Sequence, residues 1–329
     1  MTEKCAAQRI ASPARHEPSD WLRLLALTLM WGSSFLFTKI AVAALPMPVI
    51  VTARLSIAAL LLLPLTLALS GGLPRGGRLW LFFGLIAVVG NLLPFSLITW
   101  GQHAIDSGLA GILMAVMPLA TLALAHLFVP GERLTTYRVG GFLLGFAGVV
   151  VLIGPQALLA IGGERGPLLP MLAVLAGALC YGVSAILARL RPPSDAVSSA
   201  AAVTLLAALL SLPASLQSGP VDLAGLSVGV IGAVLFLGLL STALAMIVYF
   251  RLIQSAGPGF TSQLNYLIPL WAVGVGMLFA GEQPTLGQWL GLGLILGGIL
   301  LSRREPRSVP AARTKSESRA ASSGREIGQ

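Results

Sequence analysis

Apolar stretches about twenty residues long recur along this 329-residue chain, and a helix of that length crosses the roughly 30 Å hydrocarbon core of a bilayer. Ten such runs are read at residues 24–45, 48–69, 80–101, 108–129, 139–155, 168–189, 196–216, 226–250, 258–280 and 286–302. Only 10% of the residues are charged, against roughly 25% in soluble domains, so a water-facing surface of ordinary composition is excluded. Breakers punctuate the runs: Leu45-Pro46-Met47-Pro48, Gly71-Gly72-Leu73-Pro74, Pro130-Gly131 and Arg191-Pro192-Pro193. The expected fold is an all-α polytopic membrane protein of ten transmembrane helices. The loops are too short for a separate folded domain.

The net charge of +9 is distributed as orientation charge, and no nucleic-acid partner is expected. With a cytoplasmic N-terminus, the inside loops carry Arg75, Arg78, Arg133, Arg138, Arg189, Arg191 and Arg251, and the outside loops carry Arg165. Both tails, 1–23 and 303–329, then face the cytoplasm, the second as a solvated Ser/Arg/Ala-rich segment. The expected location is a bacterial-type inner membrane. The polar first twenty residues do not read as a cleavable signal. Cys5 and Cys180 are too differently placed for a disulfide, and no metal spacing occurs.

Residues 24–155 and 168–302 repeat one another at a spacing of 150. Trp31-Gly32-Ser33-Ser34 matches Tyr181-Gly182-Val183-Ser184, and Lys39 matches Arg189. Gly131, Glu132 and Thr135 match Gly281, Glu282 and Thr285; Gly141 and Gly148 match Gly291 and Gly298; Pro118 and Pro269 match one residue out of step. Five helices per repeat is an odd number, so the second repeat is inverted, and sites in such folds lie between the repeats near the midplane.

WGSSFLFTKIA followed by TARLSIAALLLLPL resembles the opening helix pair of the EamA family of the drug/metabolite transporter superfamily. The stretch from Ala110 to Leu152 and that from Thr261 to Leu301 resemble its fourth and fifth helices in the two halves. The doubled Pro-…-Gly-Glu-…-Thr-…-Gly unit is the most specific part, and the likeness covers about residues 24–302. It implies ten helices in two inverted repeats and export of amino acids, other metabolites or drugs. The second half departs from the first where Thr204 stands opposite Arg54.

Lys39 and Arg54 are full charges inside the runs, where a charge costs about 2.5–3.5 kcal/mol on insertion scales. Each either snorkels or anchors structurally, or forms a cationic wall for an anionic group such as an amino-acid carboxylate. Trp31, Ser34, Tyr181 and Ser184 offer rings and hydroxyls at matching places, with helix packing as the alternative. Asn91, Tyr249, Gln263, Asn265 and Tyr266 complete the candidate substrate-binding set, because amides in hydrocarbon need partners. Pro118 and Pro269 are read as helix breaks. Trp100 and Gln102 read as an interfacial belt, and His126 as a satisfied bundle residue. Glu132 and Glu282 are expected to cap the fifth and tenth helices, and the Gly rows at 141/145 and 287/291 to pack within the molecule.

The expected function is secondary-type export of small metabolites by alternating access, as a monomer or weak homodimer surrounded by lipid. Neither a cofactor nor a metal is expected. Enzyme chemistry lacks embedded carboxylates or an H-E-x-x-H pattern. A channel or an inert scaffold remains as the alternative. With no acidic residue in the runs, facilitated diffusion is expected over ion coupling.

Overall fold

The computed structural model describes residues 16–129, 135–159, 167–222 and 224–303. Among these residues there are helices and connections and no strands. Eight helices are long and apolar enough to cross a membrane: α1 (Pro18–Val42), α2 (Met47–Ser70), α3 (Gly77–Gly101), α4 (Ser107–Phe128), α5 (Thr136–Leu159), α6 (Leu168–Leu190), α7 (Ala196–Leu216) and α8 (Val228–Thr261). Two shorter apolar helices follow, α9 (Leu264–Ala280) and α10 (Leu286–Ser302). Leu60, Leu67, Leu81, Leu127 and Leu278 each stand more than 60% exposed, apolar surface that suits lipid rather than water. The chain is a multi-pass membrane protein.

Several helix ends differ from the sequence reading for identifiable reasons. α1 starts six residues earlier than expected, because Pro18 fits its first turn and Asp20 Oδ2 accepts from the Glu17 N–H at 3.2 Å. Asp20 therefore lies inside a span, where its Oδ1 accepts from Arg23 Nη1 at 2.9 Å and from Ser255 Oγ at 2.6 Å. α5 and α8 are interrupted at Gly154 (φ 75°) and Gly257 (φ 78°), left-handed positions open to glycine. α4 is broken at Ala115–Val116, with Pro118 in the first turn of its second segment. Pro269 is a correction: α9 runs through it unbroken, and the interruption lies earlier, at Ser262–Gln263. A proline within a packed membrane helix can be held in place by its neighbours.

The packing pairs helices from the two halves. α5 lies along α10, α2 along α7, α4 along α9, α1 along α9 and α8, α3 along α6 and α7, α4 along α6, and α2 along α8. Exchanging each helix for the one five further on leaves this set of pairs unchanged. At the α5–α10 crossing, a Cβ on Gly148 would lie 2.9 Å from the Gly291 carbonyl oxygen, and one on Gly291 would lie 3.0 Å from that of Gly148. Gly141 and Gly298 meet in the same way. The glycine rows therefore pack within the molecule. Gly148→Val is expected to overpack this crossing by about 1–3 kcal/mol, read as a lowered Tm in detergent. Gly293→Ala, with nothing within 4 Å of its Cβ, leaves Tm unchanged or raised.

The expected capping role of Glu282 is also corrected. α10 caps itself: Thr285 Oγ1 accepts from the Gln288 N–H, and Gln288 Oε1 accepts from the Thr285 N–H. Glu282 instead reaches the start of α4. Its Oε1 accepts from the Ser107 N–H and Ser107 Oγ, both at 2.7 Å, and its Oε2 from the Gly108 N–H at 2.8 Å. Asp106, at the N-cap, makes no side-chain cap bond, so the distant carboxylate takes that place. Glu132 lies outside the described residues, as do Cys5, Arg165 and the tail beyond 303.

Candidate functional site

Helices α3 and α8 each contain a π-helical segment, Val88–Leu92 and Phe236–Leu244. Shifted by the 150-residue repeat spacing, the first falls on 238–242, inside the second. A π-helical segment widens the backbone register and changes where its side chains project, and such segments recur at functional sites. Asn91 lies on the first; Ser241 and Thr242 lie on the second, with Ser241 at the repeat position of Asn91.

Arg54 turns inward from α2, seven residues or about 10 Å of helical rise from its start. Its Nε donates to Thr242 Oγ1 at 2.8 Å and its Nη2 to Ser241 Oγ at 3.2 Å. Thr242 in turn donates to the Leu237 carbonyl at 2.8 Å, which leaves its lone pairs aimed at the guanidinium. The guanidinium carbon lies 3.8 Å from the centroid of the Phe95 ring. Snorkelling is therefore not what this side chain does. No carboxylate is among its partners.

The other candidates divide into two groups. Tyr181 meets the ring of Phe95 edge-on at 6.5 Å, which places it beside Arg54. Trp31 Nε1 donates to the Ser241 carbonyl at 3.1 Å, and its ring lies 5.3 Å from that of Tyr249. Asn91, one turn before Phe95, is 9% exposed, and its amide forms no hydrogen bond to another described residue. Ser184 abuts Gly90 closely enough that a Cβ there would overlap its hydroxyl, a packing contact. The Ser34 hydroxyl donates to the Trp31 carbonyl in its own helix at 2.6 Å.

Gln263, Asn265 and Tyr266 gather elsewhere, at the start of α9. The Arg303 guanidinium lies 4.7 Å from the Tyr266 ring centroid and donates to the Ser262 carbonyl at 3.0 Å. The Tyr266 hydroxyl is buried with no partner. None of the three is hydrogen-bonded to Arg54.

Lys39 and Gln102 serve a helix end. Lys39 Nζ donates to the carbonyls of Gln102 at 3.0 Å and Ile105 at 2.8 Å, a cation at the C-terminus of α3. Gln102 is fully buried, with Nε2 donating to the Phe35 carbonyl at 2.8 Å, so the interfacial reading fits Trp100, which is 46% exposed, and not Gln102. His126 lies in the last turn of α4, at its end rather than its middle. Among the described residues no group of three metal-ligating side chains occurs.

Sequence reasoning missed Phe95, Ser241 and Thr242, the three residues that hold Arg54. One signal was present, the 150-residue spacing that sets Ser241 opposite Asn91.

A family model described as the EamA-like transporter family matches residues 21–154 and again 168–304. The chain is 28% identical over 284 residues to the "Uncharacterized inner membrane transporter YedA" of Escherichia coli strain K12, covering 84% of this chain and 88% of that protein. It is 24% identical over 282 residues to the "Uncharacterized transporter YoaV" of Bacillus subtilis, covering 85% and 95%. A "Probable terminal-alkyne amino-acid exporter" of Streptantibioticus cattleyicolor is 25% identical over 303 residues, covering 88% and 97%. A crystal structure shares the fold with a TM-score of 0.59 at 21% identity, covering 87% of this chain and 96% of the other.

Proposed function

We infer the function from one premise: the chain belongs to the EamA-like transporter family. It is a membrane transporter, and its relatives are named as transporters rather than enzymes. On our reading it exports small metabolites, amino acids or related compounds, by alternating access through a cavity between two halves.

The observation that carries this reading is a polar locus built by both halves inside apolar helices. Arg54 and Phe95 come from the first half, and Tyr181, Ser241 and Thr242 from the second. A locus shared by two bodies changes its exposure when one rocks against the other, which is what alternating access requires. Ten spans in two inverted five-helix repeats are supported by the twice-matched family model and by helix pairings that survive exchange of the halves. The amino-acid class is supported by the name of one relative at 25% identity. The test is counterflow in proteoliposomes over a panel of labelled amino acids and carboxylates. Exchange of labelled for unlabelled solute establishes a carrier. A scaffold gives none, and a channel gives flux without trans-stimulation.

Orientation is a second element of the reading, resting on seven inside-loop cations against one outside. In Cys180→Ala protein, Cys5 is expected to react with an impermeant maleimide only from the cytoplasmic face. A cysteine introduced by Ser218→Cys is expected to react only from outside. Reversed labelling overturns the orientation.

A further inference from the structure

Arg54 carries a charge among apolar helices with less than half of its donor capacity in use. A guanidinium has five N–H donors, and two are taken, by Ser241 and Thr242. Nη1 has no acceptor among the described residues. The described acidic residues, Glu17, Asp20, Asp106, Asp195, Asp222 and Glu282, all stand in helix first turns, at helix ends or in connections. One turn before Phe95, Asn91 is 9% exposed as a residue, and its amide has no hydrogen-bonded partner among the described residues. Desolvating a cation is costly unless an anion with good geometry compensates it. Free parallel N–H groups on a guanidinium match a carboxylate.

Resting on the carrier reading, we propose that Arg54 and Asn91 form a carboxylate subsite. In this subsite the solute is recognised by its carboxylate, and its amino group is not required. Arg54 Nη1 and Nη2 point their remaining N–H groups at the carboxylate, and the Asn91 amide donates beside them. Thr242, Ser241 and the face of Phe95 fix the fork in advance, so little side-chain entropy is lost on binding. Phe95, Tyr181, Trp31 and Tyr249 offer ring surface to an apolar body. An ammonium group finds no carboxylate here. Simple monocarboxylates therefore bind as well as the amino acids that share their side chain.

Equilibrium binding to the purified full chain in detergent tests this by tryptophan fluorescence with four probes that share a benzyl group. They are 3-phenylpropanoate, phenylalanine, phenylalanine amide and 2-phenylethylamine. The two carboxylates are expected to bind within about threefold of one another, and the amide and amine about 10- to 100-fold more weakly. Arg54→Gln removes that preference, and Arg54→Lys restores part of it because charge returns without the fork. Thr242→Val keeps the charge and the shape but frees the guanidinium, and weakens carboxylate binding severalfold. Size-exclusion profiles establish that the variants are folded. If Arg54→Gln does not fold, Thr242→Val and the wild-type probe ranking decide.

The proposal is overturned by equal binding of amide and acid, or by phenylalanine binding more than about tenfold tighter than 3-phenylpropanoate. Absence of binding by both carboxylates up to about 10 mM also overturns it. Binding without counterflow rejects the carrier and leaves the subsite standing. Counterflow with no acid preference rejects the subsite and leaves the carrier.

Discussion

Replacing Glu282 by alanine is expected to destabilise the folded chain by about 3 kcal/mol, one of the largest losses available from a single polar side chain here. The carboxylate accepts three short hydrogen bonds at 2.7, 2.7 and 2.8 Å, two of them from the first N–H groups of α4. Those groups have no intrahelical acceptor, and the positive end of the helix favours an anion there. The carboxylate also fills a pocket that only glycine leaves open, since a Cβ on Gly276 would approach Glu282 Cδ to 2.8 Å. Alanine therefore leaves donors unsatisfied and a void beside them. Glu282→Gln keeps one acceptor oxygen without the charge, and its loss should be about half. Ser107→Ala removes one of the three bonds and should cost about 1 kcal/mol. Thermal or SDS unfolding of the purified chain measures the series. An alanine variant as stable as wild type would show that the Ser107 and Gly108 donors are satisfied without it.

The same end of the bundle carries Lys39 on the carbonyls of Gln102 and Ile105. A cation thus closes α3 and an anion opens α4 across one short connection, each matching the helix end it faces. The two charges come from opposite halves of the chain, Lys39 from α1 and Glu282 from the residues after α9.

How much of this was legible in sequence depended on range. Length and hydropathy gave the long runs, because a membrane span is set by local composition alone. Glu282 was misassigned because spacing reasoning chooses the nearest helix start, at Leu286, while its real partner lies 175 residues away. The π-helical segments were invisible because an i→i+5 backbone register has no residue-type signature comparable to a proline or a charge. Pro269 looked like a break, yet packing against neighbouring helices overrode its local effect. Arg54 was the reverse case. Its charge flagged the position, but only the fold chose between the membrane surface and the hydroxyls of α8.

Energy coupling is where the remaining large effect is expected. Ion-coupled carriers commonly place a titrating carboxylate beside the solute, where its charge biases the two access states. Here the two carboxylates that bond from one helix to another are occupied at helix ends: Asp20 by Arg23 and Ser255, and Glu282 by α4. The Arg54 locus contains no carboxylate. If a monoanion binds there without a compensating proton, each transport event moves one negative charge. The membrane potential then drives the flux directly, at about 2.3 kcal/mol per charge per 100 mV. An inside-negative potential of that size expels a monocarboxylate to a gradient of about fiftyfold, which gives export its direction without a coupled ion. A zwitterion carried by the same site feels no such force.

Proteoliposomes clamped with valinomycin and potassium, at equal solute on both sides, test this with 3-phenylpropanoate and phenylalanine. The first should redistribute about tenfold per 60 mV and the second not at all, while protein-free vesicles correct for leak of the neutral acid. An imposed pH or sodium gradient, with the potential held at zero, should drive neither beyond that leak. Net accumulation that follows the pH gradient and collapses with a protonophore would establish proton coupling. His126 would then be the first side chain to replace, because it is the histidine carried by α4.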